Sequence, residues 1–418
     1  MQGPDRLPFP AALGALLIVA ATYVVNSMDR TVFPVLLPNV IGEYAFTMAA
    51  GGFLATIFTL GLGIAGIPGG LLFDRMSRKT VATAGIVMYS LFTVLTCLSG
   101  GFCDMAAYRT LSGVGEAFQN AAIFTMVGAY FSGSRTFAFG LLNAAYGIGA
   151  FIGPRWGSHL LAESDNWRLP LYIYGILGLA GAALMWFTVP TRFTEQHAGS
   201  ARGGTQTDRQ IPDRLINRNT VLVALALIGG GVAGYGYLGL YPTFLRNALH
   251  FSIKQAGAAA SMYGAGALMG LVGGYLADRV NQKWLMILTL IALSLVGYAL
   301  FNVAVTPLSQ NILSFLEGTA FSGFLYVNGY SLMQRAARST YTGRASGLVV
   351  TCVYLPAALS GYLFAELVTR LGWGTAALWQ MSLLLVVPIF AMLFFDPAKT
   401  SCPVRPRPVD VGREDYTT

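Results

Sequence analysis

The sequence predicts an all-α polytopic membrane protein whose twelve transmembrane helices form two six-helix pseudo-repeats. Composition, the number of apolar windows and an internal repeat predict it. Of 418 residues, 55% are apolar and 11% charged, against about 25% charged in an average soluble domain. That imbalance excludes an ordinary soluble globule, and with it disordered, collagenous and disulfide-scaffold chains. The 50 glycines and 12% aromatics suit helices that approach closely in a bilayer and rings that settle at its interfaces. A bilayer core about 30 Å thick takes roughly 20 apolar residues per helix, so twelve helices use about 240 residues.

Apolar windows bounded by charge, Gly or Pro fall near 11–38, 47–72, 80–100, 105–131, 136–160, 169–190, 219–245, 255–277, 284–305, 309–333, 344–369 and 375–395. The first carries Asp29 and Arg30 and is too long for a cleaved signal peptide, so it is expected to stay as a span.

Placing these spans sorts the 26 Lys and Arg: 19 lie in the tails and even-to-odd connections, while Arg155, Arg168, Arg246, Lys254 and Arg370 lie on the other side. By the positive-inside rule both termini face the cytoplasm. The net charge of +8 is therefore a topology signal and calls for no nucleic acid. Arg30 and Arg109 are left at membrane depth. Residues 1–190 are expected to form one six-helix bundle and 219–398 the other. Residues 191–218, with Gly199, Gly203, Gly204 and Pro212, read as a cytoplasmic linker, and 399–418 as a disordered cytoplasmic tail.

The repeat joins the halves. Gly69-Gly70-Leu71-Leu72-Phe73-Asp74-Arg75 is followed by Lys79, and Gly273-Gly274-Tyr275-Leu276-Ala277-Asp278-Arg279 by Lys283, at an offset of 204 (274 less 70). Each copy follows the second span of its half. A duplicated six-helix unit is a transporter architecture whose substrate site lies between the halves near the midplane.

At this point the chain resembles the major facilitator superfamily, over essentially its whole length. The run Gly70-Leu71-Leu72-Phe73-Asp74-Arg75-Met76-Ser77-Arg78-Lys79 is similar to that superfamily's cytoplasmic loop motif between helices 2 and 3. The resemblance implies rocker-switch alternating access, and a monomer as the usual state. Asp74, Arg75, Arg78 and Lys79, with Asp278 and Arg279 in the weaker repeat, are expected to pair with neighbouring helix ends when the cytoplasmic side is closed. Topology-setting charge alone is the plainer reading, and it leaves Gly70 and Asp74 without a reason.

An ionisable residue at membrane depth is costly enough to mark a functional site. Tyr23, Asn26 and Arg30 share one stripe of the first span, facing a polar cavity. The planar fork of Arg30 suits a carboxylate, and Asp29 is expected to hold it in the empty site or to carry a proton; a locked structural ion pair is the alternative. On the fourth span Arg109 and Glu116 are seven residues apart, on nearly one face, with Gln119 and Asn120 continuing it. Glu116, between Gly113 and Gly115 and near mid-membrane, is the first candidate for proton coupling, with Arg109 as charge partner. A permanent ion pair to Arg109 or Arg30 is its structural alternative.

Met28-Asp29-Arg30 together with the Arg-x-Leu-x-Gly-x-Gly-Glu-Ala run from Arg109 to Ala117 resembles the anion:cation symporter family and Spinster-like lipid transporters. In the former, the resemblance implies Arg30 on the substrate carboxylate and Asp29 and Glu116 in proton coupling. Gly140, Gly149, Gly153-Pro154 and Gly157-Ser158 in the fifth span are similar to the antiporter motif of drug/proton exchangers, with Ser158 where a second Gly is usual. Mechanically this is a kinkable, closely packed helix.

Asn143, Tyr146, Tyr241 and Tyr354 are further substrate-binding candidates, among tyrosines that also serve as interface anchors. Glu317 is a second coupling candidate, ranked below Glu116. His159, His197 and His250 lack a second ligand at metal spacing, Cys97, Cys103, Cys352 and Cys402 form no CxxC pair, and no phosphate-binding loop is present. Neither metal, cofactor nor ATP is expected, and ion or solute gradients must supply the energy.

Three functions fit: a proton-coupled symporter importing a small organic anion, a proton-driven exporter of drug-like or lipid-like amphipathic substrates, and a non-transporting receptor that leaves the duplicated loop idle. The buried Arg30, Asp29 and Glu116 favour the first. Its setting is a plasma membrane, a bacterial inner membrane, with the lipid bilayer and protons as partners.

Overall fold

The computed structural model describes residues 7–72, 76–131, 135–195, 211–277, 279–338 and 341–400, with the surroundings of 67–72, 135–138 and 342–343 left aside. Helices account for nearly all of these, and no strand occurs among them. Each of the twelve apolar windows lies on a helical run, named here in chain order: α1 (Phe9–Tyr44), α2 (Met48–Thr56 and Phe58–Leu72), α3 (Arg78–Thr96), α4 (Phe102–Tyr130), α5 (Arg135–Ser164) and α6 (Arg168–Thr188). The second set is α7 (Arg218–Asn247), α8 (Ile253–Ala267 and Gly270–Ala277), α9 (Gln282–Asn302), α10 (Pro307–Gly318, a wide-turn segment Thr319–Tyr326, and Val327–Arg335), α11 (Thr342–Ala357 and Ser360–Leu371) and α12 (Trp373–Ala377, Leu378–Leu383 and Leu384–Leu393).

Among the described residues, 9 of these runs are long and apolar enough to cross a membrane. The other three are α4, α5 and α10. α4 carries Arg109, Glu116, Gln119 and Asn120, which lower its mean hydropathy. Such polarity is tolerated at membrane depth only where neighbouring helices shield it.

α1 packs on α5 and α6, α2 on α4, and α3 on α4 and α6; in parallel, α7 packs on α11 and α12, α8 on α10, and α9 on α10 and α12. The halves meet through α5 with α8 and α2 with α11. Bilayer helices gain no hydrophobic drive towards each other, so close approach depends on small residues. Gly52 abuts the Gly361 backbone, and Gly264 abuts α5 between Gly147 and Phe151. Phe187, Leu295, Val387 and Phe390 are more than half exposed and give the barrel of helices an apolar outer belt.

The linker's described flanks are folded onto the bundle ends. Thr191–Thr194 forms a short helix that buries Phe193 against Tyr130 and Phe131. On the other flank Arg338 donates to the Ile211 carbonyl at 3.0 Å and pairs with Asp213 at 2.7 Å.

Candidate functional site

Arg30, in the middle of α1, turns towards α4. Its Nε donates to Glu116 Oε2 at 2.7 Å, and Nη2 meets the same oxygen at 2.7 Å. Nη2 also reaches Asn26 Oδ1 at 3.4 Å, one turn earlier. Asn26 donates to Gln119 Oε1 at 2.9 Å, and Gln119 donates to Thr22 Oγ1 at 3.2 Å. Thr22, Asn26 and Arg30 thus form an i, i+4, i+8 ladder on α1 against Glu116 and Gln119 on α4. Arg30 is 4% exposed and Glu116 1%, so removing either partner strands a buried charge, at a cost of about 3–5 kcal/mol.

Asp29 does not hold Arg30. Successive helical residues are about 100° apart, so Asp29 turns to α3, where Oδ2 accepts a hydrogen bond from Thr93 Oγ1 at 2.7 Å and Oδ1 has no partner among the described residues. Arg109 makes no direct ion pair with Glu116, which is bound by Arg30 instead. Seven residues place them about 10 Å apart along the axis, and the Arg109 guanidinium lies 4.2 Å over the Phe33 ring and 5.3 Å from that of Phe58. Its Nε and Nη2 are without hydrogen-bond partners among the described residues. A cation on ring faces is attracted by their quadrupoles, worth about 2 kcal/mol when desolvated.

A cavity of about 30 Å³ lies between the halves, with Arg30 in its wall. Tyr146, Tyr241 and Pro154 line it as well, together with Phe58, Tyr235, Tyr237 and Tyr263. Arg30 sits 5.8 Å over Tyr146, and its Nη1 carries no partner among the described residues. The unused edge of the guanidinium belongs to a residue that faces the space between the halves.

Of the other candidates, all but Tyr241 lie around this cavity without lining it. Tyr23 packs edge-on against Phe124, and Tyr354 against Tyr235 at 5.8 Å. Asn26 supports Arg30 from behind. Asn120 and Asn143 are half-buried, and Asn120 Oδ1 is unpartnered. Tyr241 lines the cavity by its ring while its hydroxyl turns back to Gln310 Oε1 at 2.9 Å. Glu317 is 1% exposed in α10, with Oε2 unpartnered among the described residues. Sequence reasoning missed Thr93, Phe58 and Tyr263. Phe58 and Tyr263 lie on α2 and α8, the second helix of each half, and an i, i+4 apolar pattern cannot separate a cavity ring from a core ring.

At the end expected to face the cytoplasm, Asp74, Arg75 and Asp278 lie outside the described residues, and Gly70 is described only as part of its helix. Glu195 accepts from the backbone N–H groups of Arg78 at 3.2 Å and Lys79 at 3.1 Å, an anion at the start of α3. Lys79 Nζ lies 5.3 Å over Trp186, and the Arg279 guanidinium 3.7 Å over Tyr275. On the opposite end Arg246 of α7 bonds Asn39 of α1, and Lys254 of α8 pairs with Glu163 of α5, tying the halves together.

The family model described as Major Facilitator Superfamily matches residues 19–361. The chain belongs to that superfamily. As a member it is an integral membrane transporter rather than an enzyme. It is 25% identical to the hexuronate transporter of Bacillus subtilis over 68% of this chain and 67% of that one. It is 24% identical to the gallate transporter of Pseudomonas putida, over 93% of this chain and 92% of the relative. Among solved structures it is similar in fold to a bacterial homolog of the human lysosomal transporter Spinster, inward-facing and unoccupied, with a TM-score of 0.69, 17% identity and coverage of 94% and 97%.

Proposed function

We propose that this superfamily member is a proton-coupled symporter of small organic anions, working by alternating access between the 1–190 and 219–398 halves with both termini in the cytoplasm. The observation that carries the reading is the buried Arg30–Glu116 pair, whose arginine also lines the cavity between the halves while its glutamate stands behind it. Hexuronate and gallate, named for the two relatives, both carry a carboxylate.

Charge balance supplies the coupling. In the empty site Arg30 and Glu116 neutralise each other. When a substrate carboxylate takes Arg30 and Glu116 takes a proton, the site is neutral again. A proton without substrate leaves net positive charge at membrane depth, and substrate without a proton leaves net negative charge. Both are costly to carry through a closed, low-dielectric intermediate. Only the empty and the doubly loaded states therefore reorient readily. Asp29 and Glu317 are further carboxyls able to hold a proton away from the substrate, and Arg109 keeps a positive potential behind Asp29. Asn26, Gln119 and Thr22 fix the rotamer of Arg30. The protein acts as a monomer, and Gly70, Asp74, Arg75, Arg78, Lys79, Asp278 and Arg279 control the cytoplasmic opening.

Glu116→Gln in proteoliposomes tests this. Exchange of labelled for unlabelled organic anion persists, while accumulation driven by a proton gradient stops; accumulation against the gradient by the variant excludes Glu116 as the coupling group. The second reading, proton-driven export of amphipathic substrates, is favoured by the α5 glycines. Gly149, Gly153 and Gly157 press on α1 at Val24, Met28 and Val32, a close-packed stripe such a gate requires. Export predicts Arg30-independent binding of lipophilic cations.

A further inference from the structure

We infer that the acids selected by this site are flat aromatic or conjugated carboxylates rather than polyhydroxylated sugar acids, an inference that rests on the organic-anion reading above. The reason is the supply of hydrogen-bonding groups in the cavity wall. Among the described residues Arg30 is the only charged one in the lining, which holds no Asn, Gln, His or Lys. The remaining polar groups are Thr31 and five tyrosines, and most of their hydroxyls are already engaged inside the protein.

Thr31 donates to the Ser27 carbonyl at 2.7 Å. Tyr237 meets Ser314 Oγ at 2.7 Å, Tyr241 donates to Gln310, and Tyr263 meets Ser322 Oγ at 2.6 Å. The Tyr235 hydroxyl has no partner among the described residues, and that of Tyr146 stands near Tyr263 and Ser322, which bond each other. One guanidinium edge and two phenols thus face a ligand. That set satisfies a carboxylate and two further polar atoms.

A sugar acid brings several hydroxyls. Each one that leaves water for this wall without a partner weakens binding roughly tenfold. An aromatic acid brings a face instead. Phe58 and Tyr235 stand edge to face with centroids 6.1 Å apart, and Tyr235 continues edge-on to Phe321 at 5.9 Å and Tyr354 at 5.8 Å. A flat ring against such a surface gains both area and quadrupole contact. The two sides of this wall come from opposite halves, Phe58 from α2 and Tyr235 from α7. Parting the halves to admit substrate therefore opens the aromatic surface and adds no polar group from the lining. The choice also separates the two relatives, since gallate is aromatic and hexuronate is a sugar acid.

The test is titration of purified wild-type protein with benzoate and with D-galacturonate, read by isothermal calorimetry and thermal shift. The expected result is benzoate binding at least tenfold tighter than galacturonate. Tyr235→Phe, which keeps the ring, should hold benzoate within about threefold, whereas Phe58→Ala should lose at least tenfold. Because the comparison of ligands uses wild-type protein, an unfolded variant does not spoil it. Equal or tighter galacturonate binding overturns the inference and leaves the organic-anion reading standing. Binding of neither acid, with stabilisation only by a lipophilic cation such as tetraphenylphosphonium, overturns both.

Discussion

In the first half Gly113 of α4 lies against the Phe58 backbone of α2, and in the second half Gly318 of α10 lies against that of Tyr263 on α8, each residue 205 further along (318 less 113, 263 less 58). Gly61 on Thr110 and Gly266 on Phe315 repeat the shift. The same register carries Phe33 and Arg109 onto Tyr237 and Ser314, at shifts of 204 and 205. There the chemistry parts company: a guanidinium lies 4.2 Å over a ring in the first half, while two hydroxyls meet at 2.7 Å in the second. Backbone-to-backbone contacts admit no β-carbon and so hold the repeat in place. The space between helices is less constrained, so at this one position the first half holds a cation against a ring and the second a phenol against a serine.

The largest effect should break the shared part of the comparison. Gly113→Val and Gly318→Val each drive a side chain into a neighbouring backbone, and both should abolish the monodisperse peak in size-exclusion chromatography. Survival of one alone would show that the halves do not rely equally on this contact. Next comes Arg30→Ala, which should destabilise the protein by about 3–5 kcal/mol through the stranded Glu116 and cut uptake at least a hundredfold. Arg30→Ala with Glu116→Ala should recover much of the melting temperature and none of the transport.

A smaller effect is expected for Glu317→Gln, which removes a proton site off the substrate path. It should lower gradient-driven uptake less than tenfold and leave exchange unchanged. The smallest is Tyr237→Phe, the second-half counterpart of Phe33. Losing the Ser314 contact should cost about 1 kcal/mol by thermal unfolding, with uptake near wild type.

Much of this was legible beforehand because bilayer helices announce themselves by length and apolarity. All twelve windows fall on helical runs, and the helical period puts Asn26 and Arg30 on one stripe, although the residue that continues it is Thr22 rather than the expected Tyr23. What was not legible was azimuth across elements. Asp29 and Arg30 are neighbours in sequence, yet one faces α3 and the other α4, and nothing local foretells Thr93 as partner. Arg109 and Glu116 share a face, but the rise between them, together with two phenylalanines from α1 and α2, sends Arg109 elsewhere. Glu195 sat in a stretch read only as linker, and its contact with α3 depends on the chain folding back along the bundle end.

The central claim is that Arg30 exchanges Glu116 for a substrate carboxylate as Glu116 takes a proton. The direct measurement is proton uptake into proteoliposomes, followed by an internal pH dye, when an organic anion such as benzoate is added outside without an imposed pH gradient. Wild-type protein should acidify the interior in step with labelled anion entry, and Glu116→Gln should exchange anion with no dye response. Anion entry by wild type with no acidification, or acidification of equal size by Glu116→Gln, would contradict the account.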